Sequence, residues 1–171
     1  ADMVLTASGA VVPVKWLGRQ TVSIRFGPAE RLHPVRLAAG SLPGGLPHSD
    51  LTVTADHAML IEGVLCHAGA LVNGTTITRV PPSELGDGYP GYHIETETHG
   101  IILANGAPAE TFIDNVSRRS FDNPAEFGAL YGDVPEMEEL GYPRAMSARQ
   151  VPGRIRAALS GQAAAWAFKA A

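Results

Sequence analysis

The sequence has little cysteine and no run of like charges. Cys66 is the single cysteine among 171 residues. An intramolecular disulfide is therefore impossible, and a cysteine-based zinc site would need histidine or carboxylate ligands as well. The 13 Lys and Arg stand against 17 Asp and Glu, and neither sign is clustered. This pattern excludes the basic surface of a nucleic-acid-binding domain and a polybasic membrane patch.

Long apolar runs are also missing. The apolar stretches are short and broken by glycine or polar residues, so membrane insertion through a helix is not expected. The opening residues Ala1–Thr6 have neither a basic nor an apolar region of the kind found in signal peptides. We expect cytoplasmic synthesis, with later export, the final compartment and the oligomeric state left open.

The chain contains 19 glycines and 13 prolines. The short stretches between them are rich in β-branched residues or alternate apolar with polar residues, which predicts many short strands joined by turns. Ser8-Gly9 and Glu62-Gly63 are predicted to be tight hairpin turns, and Ala39–Asp50 and Pro81–Pro90 to be loops. The predicted strands are Met3–Thr6, Val11–Leu17, Thr21–Phe26, Val35–Leu37, Leu51–Thr54, Ala58–Ile61, Val64–His67, Thr75–Val80, Tyr92–Thr96 and Ile101–Ala104.

The composition changes after about Asp114. The Ala-rich segment Arg154–Ala170 has apolar residues at helical spacing, which predicts a helix. We expect this helix to pack on the β body through Trp166 and Phe168. A single helical turn is predicted within Pro135–Leu140.

Six histidines raise the question of a metal site. Neither an H-x-H pair nor an H-E-x-x-H motif occurs, and these are the usual zinc-binding patterns on strands and helices. His33 and His48 flank Pro-rich loops, and His67 follows Cys66 at the end of a predicted strand. These three are interpreted as surface or strand-edge residues. A His-based metallo-hydrolase remains an alternative that requires three imidazoles around one ion.

The other histidines have more suggestive neighbours. Thr54 and His57 lie three residues apart at a bend between two predicted strands, where a hydroxyl and an imidazole can converge. His93 and His99 flank a predicted turn at Thr96–Thr98 that would bring their rings near each other. The residue types alone favour structural roles, with an acid/base site as the alternative.

Ordered blocks along the chain carry a family pattern. Leu51–Ile61 (LTVTADHAMLI) contains T-x-x-H, and Tyr92–Phe112 (YHIETETHGIILANGAPAETF) contains a histidine followed by Ala-Asn-Gly. With Met3–Gly18 (MVLTASGAVVPVKWLG) and Leu65–Ile77 (LCHAGALVNGTTI), they resemble the Hint domain, the self-processing fold of hedgehog autoprocessing domains and inteins. Ser117–Phe121 (SRRSF) is similar to the tail of a bacterial Hint subfamily.

The resemblance covers about Met3 to Phe121 and implies a fold. The expected fold is mostly β, a Hint-type horseshoe of short, curved antiparallel strands with a C-terminal helical appendage. We place the Hint-like domain at residues 1–121 and a C-terminal extension at residues 122–171, with its helix at 154–170.

The resemblance also implies residue roles. In Hint domains an opening Cys or Ser attacks the carbonyl of the preceding peptide bond and converts that amide into a thioester or ester. His57 would protonate the leaving nitrogen, and Thr54 would hydrogen-bond to the same peptide group. His93 stands where many members have an Asp that accepts the thiol proton, a task that imidazole can perform. His99 matches a histidine that assists later steps in inteins, and Asn105 a turn-forming residue. No cofactor is implied.

Two departures from the family pattern change the expected outcome. Inteins end in His-Asn before a second nucleophile, but here the stretch Asn105–Thr111 (NGAPAET) simply continues, so splicing is not expected. The opening strand with its cysteine is absent, and Cys66 lies mid-domain. The intact parent is expected to promote N–S or N–O acyl shift and to cleave its own N-terminal flank, whereas this chain alone is expected to be inert.

The expected partner is accordingly the protein's own N-terminal flank or the missing strand. A non-catalytic β module of the same fold, serving interaction or secretion, is the first alternative, and the metallo-hydrolase is the second.

Overall fold

Short strands make up most of the regular structure in the computed structural model, which describes residues 2–113 and 118–171. The mostly β class with a C-terminal helix, predicted from the sequence, is confirmed. The strands are β1 Met3–Leu5, β2 Val11–Pro13, β3 Trp16–Ser23, β4 Val35–Leu37, β5 Leu51–Val53, β6 Ala58–Ile61, β7 Val64–His67, β8 Ile77–Arg79, β9 Gly88–Glu95, β10 Ile101–Ala104, β11 Ala107–Glu110 and β12 Arg144–Ala145.

The α-helices are α1 Ala29–Leu32, α2 Pro82–Leu85, α3 Pro124–Tyr131 and α4 Gly153–Ala170, and single 3-10 turns occur at Ala68–Leu71 and Arg118–Ser120. Helix α3 was not predicted, although Asn123-Pro124 at its start places proline at the first helical position, where its missing N–H has no cost. The helical turn predicted at Pro135–Leu140 is wrong, because this segment is irregular. Among the described residues, no helix has the length and apolar character needed to span a membrane.

The strands among the described residues form four sheets. The largest has five strands in the order β10-β11-β6-β7-β12, and a second has three in the order β5-β4-β8. The remaining two are the pairs β3-β9 and β1-β2. All pairs are antiparallel except β12 with β7. The β3-β9 ribbon runs in unbroken register from Trp16 opposite Glu95 to Ser23 opposite Gly88.

A tight turn at Asn105-Gly106 joins β10 to β11. Both residues have positive φ, +47° for Asn105 and +83° for Gly106, as a two-residue hairpin turn between twisted strands requires. Strand β11 was not predicted, although this Asn-Gly pair signals a hairpin. Because β11 also pairs with β6, it places Glu110 beside the strand that begins just after His57.

The main hydrophobic core lies against the five-stranded sheet. Met59 and Cys66, which pair across β6 and β7, are fully buried in it. Helix α4 packs on this core through Ile155 and Leu159, which are 0% and 6% exposed. The predicted docking through Trp166 and Phe168 is wrong, since these rings are 39% and 87% exposed. Apolar spacing alone did not indicate that only the first half of the helix contacts the body.

A second, aromatic core consists of Trp16, Phe112, Phe121 and Phe127. The Trp16 ring meets Phe121 and Phe127 edge-on at centroid separations of 5.3 and 5.5 Å. The Arg118 guanidinium lies 4.0 Å from the centre of the Phe127 ring. This core anchors the segment from Arg118 to α3 against the β3-β9 ribbon. Ser117, the first residue of the predicted tail, lies outside the described residues.

Candidate functional site

A turn between β5 and β6 presents Thr54 and His57 on one side of the molecule. The His57 backbone N–H donates to the Thr54 carbonyl at 3.1 Å, which closes the turn. Two further backbone hydrogen bonds stabilise this turn. The Gly69 N–H donates to the Ala55 carbonyl at 2.8 Å, and the Ala68 N–H donates to the His57 carbonyl at 2.9 Å. The bend predicted from the T-x-x-H stretch is therefore a fixed structural feature.

His93 reaches the same place from β9. It pairs in register with Gly18 of β3, and its ring meets Phe121 edge-on at 5.1 Å. A Cβ at Gly18 would come within 2.9 Å of the Phe121 ring, so glycine is needed here for that ring to lie against His93. The aromatic core thus limits the freedom of the His93 side chain.

The structure brings together His57 and His93. Their ring centroids are 6.2 Å apart, with an angle of 49° between the ring planes. Both rings line a cavity of about 210 Å³, together with Glu110 and Phe121. We call this cavity the histidine pocket.

Thr54 does not line the histidine pocket. It lines a second cavity of about 160 Å³ with His57, Tyr89 and Tyr92, which we call the tyrosine pocket. The Thr54 hydroxyl oxygen is buried and has no hydrogen-bond partner among the described residues. An unpaired buried hydroxyl typically costs about 1–3 kcal/mol. His57 therefore lines both cavities, one of which it shares with His93 and the other with Thr54.

Both imidazoles are held in the neutral form. Burial, reinforced by the nearby His93, lowers the pKa of His57 to about 4, against the opposing effect of the Glu110 and Asp56 charges. Burial also lowers the pKa of His93 from its ordinary 6.5. A neutral imidazole accepts a proton before it can donate one. His57 can therefore act as a base at neutral pH, and as an acid only after a proton has reached it.

The depressed pKa predicts acid lability. Above pH 6.5, His57 is neutral in both the folded and the unfolded chain, and its pKa shift has no effect on stability. As the pH falls from 6.5 towards about 4, the unfolded chain gains a proton that the folded chain does not bind. The free energy of unfolding should fall by at most about 3 kcal/mol in this window.

Urea unfolding of the native chain and of His57→Gln, each at pH 7 and at pH 4.5, measures this contribution. The variant should lose less stability than the native chain between the two pH values. Equal losses in both proteins would contradict the assignment.

Glu110 is a site residue that the sequence reading missed. It is 7% exposed and lines the histidine pocket. Burial alone would raise its pKa, but hydrogen bonds from His99 and Arg144 outweigh that effect and hold the pKa at about 2. The Glu110 side chain is therefore a carboxylate at any physiological pH. Its position in the sequence, two residues before Phe112 at the end of the family-like block, was the feature that could have indicated a site residue.

His99 does not line the histidine pocket. Its side chain is buried, and its Nε2 lies 3.2 Å from Glu110 Oε2. The Leu140 backbone N–H donates to Nδ1 at 2.9 Å. Both ring nitrogens thus have partners, and Glu110 is the link between His99 and the pocket.

The remaining histidines and the cysteine line neither of these two cavities. His33 Nδ1 lies 3.1 Å from the Val80 carbonyl oxygen, the His48 side chain is exposed, and His67 is half-buried. Cys66 is 0% exposed, and burial raises the pKa of its thiol to about 11. A thiolate is the reactive form of cysteine, and Cys66 at neutral pH is therefore in the less reactive thiol form.

The described residues offer no group of three or more His, Cys, Asp or Glu side chains placed to hold a metal ion. The metallo-hydrolase alternative therefore has no support in the geometry of residues 2–113 and 118–171.

Comparison with protein-family models identifies a match to the model described as Hint domain, over residues 1–116. The match includes Thr54, His57, His93, His99 and Glu110, and it ends before Arg118. No curated protein and no solved structure gives a significant match.

Proposed function

Since the chain belongs to the Hint domain family, we propose that it is a self-processing domain that promotes N–S or N–O acyl shift and cleaves its own N-terminal flank. One observation carries the proposal. His57 lines two cavities, one shared with His93, whose ring centroid is 6.2 Å away, and one shared with Thr54, whose hydroxyl has no partner among the described residues. A scissile peptide bond needs just these groups, a proton acceptor, a proton donor to nitrogen and a hydrogen-bond donor to oxygen.

The protonation state of His57 determines the order of the proton transfers. His57 is neutral at pH 7, so the proton that it gives to the leaving nitrogen must first come from the nucleophile. We assign the first acceptance to His93, which passes the proton to His57 directly or through one water. The sulfur or oxygen of the nucleophile forms a bond to the carbonyl carbon. The C–N bond then breaks as His57 protonates the nitrogen, and a thioester or ester remains.

Thr54 serves the same peptide group from the tyrosine pocket. Its hydroxyl donates a hydrogen bond to the carbonyl oxygen, where negative charge develops as the nucleophile adds. Such preorganised donors are most effective in cavities of low dielectric, because no water has to reorient during the reaction. A second nucleophile then opens the thioester or ester and releases the N-terminal flank.

Cys66 is unsuited to be the nucleophile. It lies inside β7, is fully buried and has a raised pKa. The reaction also requires the peptide bond immediately before the nucleophile. We therefore propose that the nucleophile comes from a strand ahead of Ala1, and that the 171-residue chain is inert by itself.

A fusion protein tests the proposal. A strand carrying the opening cysteine of the family is placed ahead of Ala1, with a reporter protein ahead of that cysteine. Dithiothreitol should release the reporter at the cysteine, as measured by intact mass. The fusion with that cysteine changed to alanine, and the 171-residue chain alone, should keep their masses. Release from the alanine fusion, or thiol-dependent cleavage of the chain alone, would contradict the proposal.

A second candidate function is a non-catalytic β module. Exposed apolar side chains on the β1-β2 hairpin favour it, because Met3, Leu5 and Val11 are 55%, 45% and 60% exposed. Such a hairpin suits contact with another chain. An active fusion would reject this module as the sole function, and a fusion that is stably folded but never releases its reporter would favour it.

A further inference from the structure

Arg144 and His99 make three hydrogen bonds to the carboxylate of Glu110. Arg144 Nη1 donates to Oε1 at 3.1 Å, and Arg144 Nη2 donates to Oε2 at 2.6 Å. His99 Nε2 lies 3.2 Å from the same Oε2. The two-pronged contact fixes the plane of the carboxylate as well as its distance, which a single lysine ammonium could not do.

Arg144 comes from the part of the chain beyond the family match. It lies in β12, which pairs in parallel with β7 so that Arg144 is opposite Leu65. Side chains alternate between the faces of a sheet, so Arg144 shares a face with Leu65, His67 and Glu110's neighbour Ala58. Ala58 carries only a methyl group, which leaves room for the guanidinium to reach Glu110. Arg144 Nε also donates to Glu139 Oε1 at 2.7 Å.

The same C-terminal segment fixes His99. The Leu140 N–H donates to His99 Nδ1, so Nδ1 carries no proton and Nε2–H is the donor to Glu110. Residues 139–144 therefore determine both the orientation of the Glu110 carboxylate and the tautomer of His99.

Fold stability gives little reason for this arrangement. A buried ion pair of this kind is often no more stabilising than apolar side chains of similar volume, because both charges lose their hydration. A fixed carboxylate in a pocket with His57 and His93 can, however, stabilise the positive charge that one of these histidines gains during the reaction. The Glu110 charge favours protonated His57, which is the form that protonates the leaving nitrogen.

We infer that Arg144 is a positioning residue of the self-processing site. Together with His99 it fixes the carboxylate of Glu110, which lines the histidine pocket. The C-terminal extension is on this account part of the site rather than an appendage to it. The chemical role given to Arg144 rests on the proposed function. Its effect on the positions of His57 and His93 can be measured in the 171-residue chain without any cleavage.

Several charged groups share this region and define the controls. Glu110, Asp56, His93 and His67 act on the charge of His57. Arg144 also faces Glu139 and lies near His67. Arg154, which pairs with Glu62 at 3.5 Å and is 60% exposed, is a matched arginine of the same extension that lies outside this network.

The first experiment uses the 171-residue chain and does not depend on cleavage. Side-chain nitrogen NMR spectra follow His57 and His93 across a pH titration. Arg144→Met should shift both sets of histidine signals and change the titration of His57, whereas Arg154→Met should leave them unchanged. Unchanged His57 and His93 signals in folded Arg144→Met would overturn the inference.

The second experiment uses the reporter fusion. Arg144→Met should slow release by between about 10-fold and 100-fold, the size of effect that misplacing a site by about 1 Å can have, and Arg154→Met should not slow it. The double variant Arg144→Met/Glu110→Leu removes both charges and should recover the thermal stability, while release stays slow. Recovery of release along with stability would show a merely structural pair and overturn the inference. If the histidine signals shift but the unmodified fusion never releases its reporter, the proposed function fails and the positioning of the pocket stands.

Discussion

Replacement of His57 by alanine in the reporter fusion should slow thiol-induced release by about two orders of magnitude or more, because the leaving nitrogen loses its proton donor. An amide nitrogen is a poor leaving group unless it is protonated as the C–N bond breaks. The effect should be on the rate of thioester formation, and not on the later reaction of the thioester with the added thiol. Release measured by intact mass over time at several thiol concentrations separates the two, because only the later reaction depends on the added thiol.

The matched control for this prediction is His48→Ala, since the His48 side chain is exposed and its position is fixed by its backbone N–H. This variant should release the reporter at the rate of the unmodified fusion. A folded His57→Ala fusion with unchanged kinetics would show that His57 is only structural. The roles assigned to Thr54 and His93 would then need to be revised.

A large effect on stability is expected at Arg118. This residue pairs with Glu95, whose side chain is 0% exposed, through Nη2 at 2.8 Å and Nε at 3.2 Å. Arg118→Met would leave a buried carboxylate without this partner, which typically costs about 3–5 kcal/mol. The change should also loosen the aromatic core, because the guanidinium lies on the Phe127 ring. Urea unfolding at pH 7 measures the loss.

Arg25→Met provides the comparison for Arg118. Arg25 pairs with Asp87 where both side chains are mostly exposed, at 59% and 75%. Exposed pairs of this kind contribute about 1 kcal/mol or less. A loss at Arg118 no larger than that at Arg25 would contradict the account of a buried pair that holds the segment from Arg118 to α3 against β9.

The local parts of the fold could be predicted from the sequence. Glycine after a turn residue indicated the hairpins at Ser8-Gly9 and Glu62-Gly63, and T-x-x-H between apolar stretches indicated the bend that carries His57. These features depend on neighbouring residues, whose conformational preferences are visible in the chain. The family resemblance, which rested on the same blocks, is confirmed by the match over residues 1–116.

The long-range parts could not be predicted. Glu110 and Arg144 are 34 residues apart, and only the parallel pairing of β12 with β7 brings them together. The exposed positions of Trp166 and Phe168 likewise depend on where α4 leaves the body. The catalytic roles of Thr54, His57, His93 and His99 stay predictions, as does the domain boundary at residue 121.

The central claim, that the histidine pocket serves an acyl shift, is tested most directly by trapping the intermediate. The reporter fusion is incubated with hydroxylamine at neutral pH, and the released reporter is analysed by mass spectrometry. Hydroxylamine attacks a thioester at its carbonyl carbon, so the account predicts a reporter that ends in a hydroxamate. It also predicts that this product is absent from the fusion without the cysteine and strongly reduced in His57→Ala. An intact fusion after prolonged incubation, or release without a hydroxamate, would contradict the claim.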